Sequence, residues 1–215
     1  MEKYRVSIII PALNESATVA NIVTAVREYG IPVVIDDGST DNTAELAIKS
    51  GAVVVVHNVN LGYDAALNSG FIKASELGSE IIVTIDADGQ HDPSLIQKFI
   101  ETIDAGADLV VGVRSRRQRF AEHLFAFYTK LRFGVKDPLC GMKAYRKKVY
   151  EDLGHFDSYG SIGTELTIFA AKKRARIGQI AFKVRDRRGE SRFGKKLSGN
   201  YKIIRAMMLS FWKVK

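Results

Sequence analysis

The chain has 215 residues, 46% of them hydrophobic, which is enough for one domain with a sizeable core and excludes the polar bias of a disordered segment. Its lone cysteine, Cys140, excludes an internal disulfide, no apolar run reaches the roughly 18 to 20 residues that span a bilayer, and the start at Met1 lacks a leader pattern. The cytoplasmic side is therefore the expected location. The net charge of +8 is unevenly divided: residues 1–113 carry 6 Lys and Arg against 16 Asp and Glu, while residues 114–215 carry 26 against 8. An acidic half suited to a cation and a basic half facing something anionic explain this division better than an evenly basic surface does.

In chain order, the first half predicts a strand over 5–11, a helix over 16–29, a strand over 32–35, a helix over 41–50 and a strand over 52–57. A helix over 62–77, a strand over 80–85, a helix over 93–105 and a strand over 108–113 follow. This βαβ rhythm predicts an α/β fold with a mainly parallel central sheet and helices on both faces. Beyond residue 113 the rhythm breaks into a basic, aromatic-bearing segment at 114–136 and a turn-like stretch at 137–141. A helix over 164–174, a strand over 179–184, a Gly/Arg-rich loop over 185–194 and a final helix from Leu197 complete the chain. No linker composition separates the halves, so residues 1–215 are expected to share one core, with a 1–113 half facing one reactant and a 114–215 half facing the other.

In sheets of this kind ligands bind outside the carboxyl ends of the strands, where three polar clusters fall. Pro11-Ala12-Leu13-Asn14-Glu15 follows the first strand without the glycine fingerprint of a dinucleotide fold, which argues against a dehydrogenase. Asp36-Asp37-Gly38-Ser39-Thr40-Asp41 follows the second. There the first two carboxylates suit a base or ribose contact, and Asp41 suits a helix cap. Asp86-Ala87-Asp88-Gly89-Gln90-His91-Asp92 follows a β-branched run that reads as a buried strand. Hard carboxylate oxygens ending such a strand, completed by substrate phosphates, are how Mg²⁺ or Mn²⁺ is usually held. His91 reads first as a helix-entry residue and second as a third metal ligand. A haloacid-dehalogenase-like phosphatase also uses Asp-x-Asp, but at the end of its first strand. A nucleic-acid-binding module would leave the acidic clusters unexplained, so no nucleic-acid partner is expected.

Taken in order, Pro11–Glu15, Asp36–Asp41, Asp86–Asp88 and Gly189-Glu190-Ser191 resemble the motifs of family-2 glycosyltransferases of GT-A fold. Gln90 two residues after the Asp-x-Asp, and Asp137-Pro138-Leu139-Cys140-Gly141-Met142, are most similar to dolichol-phosphate mannose synthases and bacterial polyprenyl-phosphate relatives. The resemblance implies a nucleotide-sugar donor, with Pro11, Asn14, Glu15 and Asp37 lining the nucleotide pocket and Asp86 supporting the sugar-nucleotide end. It implies that Asp88 and Gln90 bind a divalent Mg²⁺ or Mn²⁺ bridging the diphosphate, and that Glu165 is a carboxylate near the sugar. Read without the resemblance, Glu165 is a first-turn helix anion.

The resemblance also implies a polyprenyl-phosphate acceptor, already a nucleophile, whereas a saccharide or small-molecule hydroxyl would need a carboxylate such as Glu165 as base. Arg114, Arg116, Arg117 and Arg119, then Arg185, Arg187, Arg188 and Arg192, offer guanidinium forks for phosphate oxygens. The 189–194 loop, with Ser191, resembles a family segment that carries an arginine toward the phosphates. Asp186 stands where that arginine is usual, leaving Arg185 or Arg187 for the role. The run 201–213 mixes an apolar face with cations and Trp212, which suits either a bilayer interface or ordinary core packing. A membrane-anchoring partner subunit would serve the same end.

Overall fold

The computed structural model describes residues 5–184 and 196–213. Its elements are β1 (Val6–Ala12), α1 (Val19–Val26), β2 (Ile31–Asp36), α2 (Thr43–Lys49), β3 (Val53–Val56), α3 (Tyr63–Glu76), β4 (Ile81–Thr84) and α4 (Leu95–Asp104). Then come β5 (Leu109–Arg114), α5 (Phe120–Phe133), β6 (Lys143–Arg146), α6 (Lys147–Leu153), α7 (Glu165–Lys172), β7 (Ile177–Phe182) and α8 (Lys196–Trp212).

The strands form one 7-stranded sheet in the order β3-β2-β1-β4-β6-β5-β7. β1 pairs in parallel with β2 and β4, β2 with β3, and β5 with β7, while β6 alone runs antiparallel, to both β4 and β5. The mainly parallel α/β sheet expected from the sequence is thus observed. The isoleucines of β1 explain how it is covered. Ile8 and Ile10 face a core built with Val19, Ile22 and Val23 of α1 and Phe99 and Ile103 of α4. Ile9 faces the opposite core, with Leu67 and Phe71 of α3, Phe125 of α5 and Leu166 of α7. Alternate residues bury in opposite layers because successive strand side chains point to opposite faces. Burying each such side chain contributes about 1.5–3 kcal/mol. At Gly70 a Cβ would overlap the Ile9 side chain, so the missing side chain lets α3 lie close against β1.

Four elements depart from the sequence expectation. The basic segment after residue 113 contains α5, and the turn-like stretch gives way to β6 and α6. β6 is only four residues long and carries Lys143 and Arg146, so no apolar run betrays it. α5 buries Ala121, Phe125, Ala126 and Thr129 yet exposes Phe120, Phe127 and Leu131 on the other side, which erases the one-sided periodicity by which an amphipathic helix is recognised. The first helix starts at Val19 rather than at Ser16 because Asn14 adopts a left-handed φ of 49° and the chain turns before α1 begins.

Candidate active site

From β1 the chain moves outward through β2 to β3, then returns across the sheet to place β4 on the other side of β1. The carboxyl ends of β1 and β4 therefore flank a topological switch point. A cavity of about 1280 Å³ opens there, lined among others by Pro11, Glu15, Asp37, Asp86, Asp88, Gln90, Arg114 and Arg119.

The wall beyond β1 is fastened to the loop beyond β2. The Asn14 amide donates to Ser39 Oγ at 2.8 Å, its side-chain oxygen accepts from the Thr40 amide at 2.7 Å, and the Glu15 amide donates to Thr43 Oγ1 at 2.8 Å. Asp41 accepts from the amides of Thr43 and Ser16 at 3.1 and 3.2 Å, joining the start of α2 to the same wall. Asn14 thus holds the loop and is not among the residues lining the cavity, while Pro11 and Glu15 are. Asp36 accepts from the Ser39 amide at 2.9 Å and likewise lies behind the surface. Asp37 reaches the cavity and supports the segment before α3: its oxygens accept from the amides of Leu61 at 2.9 Å and Gly62 at 2.8 Å. His57 Nδ1 lies 2.7 Å from Asp37 Oδ1, with Ser69 Oγ 2.9 Å from the other ring nitrogen.

At the end of β4, Asp86 and Asp88 both line the cavity. Tyr63 donates its hydroxyl to Asp86 Oδ1 at 3.3 Å, and burial, with the Asp86 charge adding, pushes the Tyr63 hydroxyl well above its ordinary range. Tyr63 is thereby kept a proton donor. Asp86 also lies against Gly141, where a Cβ would overlap its carboxylate. Asp88 Oδ1 accepts from the Gln90 amide at 3.0 Å, a tight turn that puts a carboxylate and a side-chain amide at one rim of the cavity. Among the described residues no three His, Cys, Asp or Glu side chains converge into a metal cage. Asp88 and Gln90 are hard oxygen donors of the kind that holds Mg²⁺ or Mn²⁺ when substrate phosphates and water supply the remaining positions. His91 is turned inward, with its Nδ1 3.6 Å from Asp86 Oδ2 and its ring 5.6 Å from that of Phe182.

The opposite wall is cationic. Arg114 makes a fork to Asp137, Nε to Oδ2 at 2.8 Å and Nη2 to Oδ1 at 2.9 Å, and lies 3.3 Å from Glu122. Burial opposes its charge, but the Asp137 carboxylate outweighs burial and raises its pKa. Arg119 Nη1 is 3.5 Å from Glu122, and Lys202 and Arg205 of α8 complete this wall. Lys143 of β6 reaches the floor, where Nζ donates to the Gly163 carbonyl at 2.7 Å and burial pushes its pKa down to about 8. Cys140 is a buried packing residue, its thiol pushed up to about 12 by burial.

Three carboxylates, Asp64, Asp157 and Glu165, hold the loop before α7. Asp157 accepts from the amides of Tyr159, Gly160 and Ser161, at 3.2, 2.7 and 2.8 Å. Asp64 accepts from those of Ile162 and Gly163, and burial, with the Asp157 charge adding, raises its pKa to about 6. Glu165, buried at the start of α7, accepts from the Ser158 amide at 2.6 Å and is 3.0 Å from His155 Nε2. It lies behind the loop and is not among the residues lining the cavity. Sequence reasoning missed Tyr63, Asp64, Lys143 and His155, and also Asn68, whose side-chain oxygen accepts from the amides of Phe156 and Asp157 at 3.0 and 3.2 Å. A lysine two residues after Gly141 in a strand-sized segment was the signal for Lys143, whereas the loop ligands leave no motif. Arg185, Arg187, Arg188 and Ser191 lie outside the described residues.

Residues 7–154 match the family model described as Glycosyl transferase family 2. An uncharacterized glycosyltransferase of Mycobacterium bovis is 31% identical over 220 residues, 97% of each chain. The UDP-N-acetylglucosamine–dolichyl-phosphate N-acetylglucosaminyltransferase of Methanococcus voltae is 29% identical, with 96% of each chain covered. The polyprenol monophosphomannose synthase of Mycolicibacterium smegmatis is 33% identical over 180 residues, 73% of this chain and 68% of that one. Among solved structures, Mycobacterium tuberculosis glucosyl-3-phosphoglycerate synthase in complex with Mn²⁺ and uridine-diphosphate-glucose superposes with a TM-score of 0.74 at 25% identity, covering 98% of this chain and 79% of that one. The fold is of GT-A type, and the chain belongs to glycosyltransferase family 2.

Proposed function

We propose that the protein transfers a hexose, with inversion, from a nucleotide-sugar to a polyprenyl phosphate. The observation that carries this reading is the character of the acceptor-side wall. It presents Arg119, Lys202 and Arg205 to the cavity, while Asp64 and Asp157, which also line it, are taken up by two and three backbone amides and Glu165 is withdrawn behind the loop. A hydroxyl acceptor needs a base within hydrogen-bond reach, whereas a phosphate oxygen arrives as a nucleophile and needs cations to hold it. Relatives named for dolichyl and polyprenol phosphates point the same way.

In this reading Pro11, Glu15 and Asp37 hold the nucleotide and Asp86 orients the donor sugar. Asp88 and Gln90 would hold Mg²⁺ or Mn²⁺, which when bound supplies Lewis-acid stabilisation of charge on the departing diphosphate. One acceptor phosphate oxygen bonds to the anomeric carbon as the bond to the nucleoside diphosphate breaks, so no proton has to be removed from the nucleophile. Arg114 shapes the wall through Asp137, Arg119 meets the phosphate, and Arg185, Arg188 and Ser191 join it by resemblance.

The test is incubation with Mn²⁺, labelled UDP- and GDP-hexoses and a short-chain polyprenyl phosphate, beside the free prenol and 3-phosphoglycerate. Label is expected on the prenyl phosphate. Label on a hydroxyl acceptor alone overturns the acceptor reading, and absence of any nucleoside diphosphate binding with metal present overturns the donor reading.

A further inference from the structure

Two helices that border the cavity carry an exposed apolar face that the transfer reaction does not use. On α5, Phe120, Leu124, Phe127 and Leu131 recur at helical spacing on the side away from the sheet, with Phe127 66% and Leu131 79% exposed. On α8, Tyr201, Ile204, Met208, Phe211 and Trp212 do the same, with Met208 51% and Trp212 81% exposed. The helices lie side by side and run in the same direction. Near their starts the Ala121 amide donates to Asn200 Oδ1 at 3.3 Å, and further along the Tyr128 and Phe211 rings are 4.5 Å apart. Their outward residues therefore adjoin in one patch rather than forming scattered exposed side chains, and a patch of this kind marks a site of contact.

We infer that this α5–α8 face docks the protein on an anionic bilayer surface. Charge selects the occupant. Glu122 is the one carboxylate in either helix, and it is buried against Arg114 and Arg119. The exposed charges around the patch are Lys130 and Arg132 on α5, Lys202 and Arg205 on α8, and Lys213 just beyond it. A second copy meeting this face through a two-fold axis would set those cations against themselves. An anionic leaflet neutralises them, takes up the apolar stripe and suits Trp212, an amphipathic ring at the headgroup level. Among the described residues no helix is long and apolar enough to cross a membrane, so the contact is of the interfacial kind. Both helices also line the cavity, α5 through Glu122 with Arg119 just before it, and α8 through Lys202 and Arg205 in its middle turns. Docking by this face brings the cationic wall to the headgroup layer, where a lipid phosphate resides. The choice of a bilayer rests in that respect on the polyprenyl-phosphate reading.

The experiment is co-sedimentation of the full chain with phosphatidylcholine vesicles, with and without phosphatidylglycerol, at low and high salt. The wild type is compared with the fourfold variant Phe127→Glu, Leu131→Glu, Met208→Glu, Trp212→Glu. Wild type should partition to the anionic vesicles, less so at high salt, and the variant should lose about tenfold or more in partitioning. All four positions point outward, so the variant should keep its melting temperature and its transfer to a detergent-dispersed short-chain acceptor. Failure of wild type to bind anionic vesicles, equal binding by the variant, or a wild-type dimer that the substitutions split overturns the docking surface. Vesicle binding that depends on these residues without transfer to any prenyl phosphate upholds the docking surface and overturns the acceptor reading instead.

Discussion

The Asp86 carboxylate rests on Gly141 with no space for a Cβ between them. The segment before β6 is pinned in that position by Thr84 Oγ1, which donates to the Gly141 carbonyl at 2.6 Å, so neither partner can withdraw cheaply. Gly141→Ala should therefore displace Asp86 and lower kcat/KM for the donor by about tenfold or more, at an overpacking cost of about 1–3 kcal/mol. Steady-state kinetics and denaturant melts read the two effects separately. Full activity of the alanine variant would show that the Asp86 position is immaterial.

Asp88→Ala should remove the metal-dependent part of nucleoside diphosphate binding and leave the sheet intact, because its carboxylate organises a turn outside the strands. Calorimetric titration of UDP and GDP with and without Mn²⁺ measures this. The wild type should bind more tightly with metal, and the variant should bind equally in both conditions.

His57 holds Asp37 through one ring nitrogen and Ser69 through the other. His57→Ala removes a buried partner of a carboxylate that also braces Leu61 and Gly62, at a cost of about 1–3 kcal/mol. Weaker donor binding with little change in turnover is the expected result, since the effect acts through Asp37.

Asp64 supplies a pH signature. Burial raises its pKa from 3.8 to about 6, so the folded state holds its proton more tightly than the unfolded state does. Its contribution is fully present below about pH 4 and is lost as pH rises through about 6, by up to about 3 kcal/mol. Asp64→Asn does not titrate. The stability of this variant relative to wild type should therefore improve as pH rises from 4 to 7, as followed by urea melts at each pH. A constant difference would show that the carboxylate is ordinary.

Glu165→Gln separates the two acceptor chemistries. A carboxylate held by Ser158 and His155 positions the loop, so the glutamine variant should lose part of its acceptor affinity and retain turnover at saturating acceptor. Near-abolished turnover with intact donor binding would instead mark Glu165 as a base serving a hydroxyl acceptor.

The parallel half of the sheet was legible because apolar runs such as Ile8-Ile9-Ile10 and Ile81-Ile82-Val83 are bounded by polar clusters, and those clusters sit where such sheets bind ligands. The placement of Asp37, Asp86, Asp88 and Gln90 at one cavity was legible for the same reason, since they stand in the polar clusters that follow β2 and β4. The acceptor side was not. Lys143 looks like a surface lysine until β6 proves to be an inner strand, and Asp64, Asp157 and Glu165 meet only through folding, across 98 and 99 residues in the contacts of Asp64 with Ile162 and Gly163. Arg114 read as a guanidinium fork for phosphate oxygens, and its fork to Asp137 was not legible because that partner lies 23 residues away and belongs to a motif of its own.

β6 has a mechanical consequence. Reversed in direction and hydrogen-bonded to β4 on one side and β5 on the other, it stitches the strand that ends two residues before Asp86 to the strand that ends in Arg114. No hinge can open between donor wall and acceptor wall without breaking a ladder at the centre of the sheet. The separation of the two reactants is thus fixed by strand spacing, and any closing over them falls to the connections at the sheet's carboxyl edge.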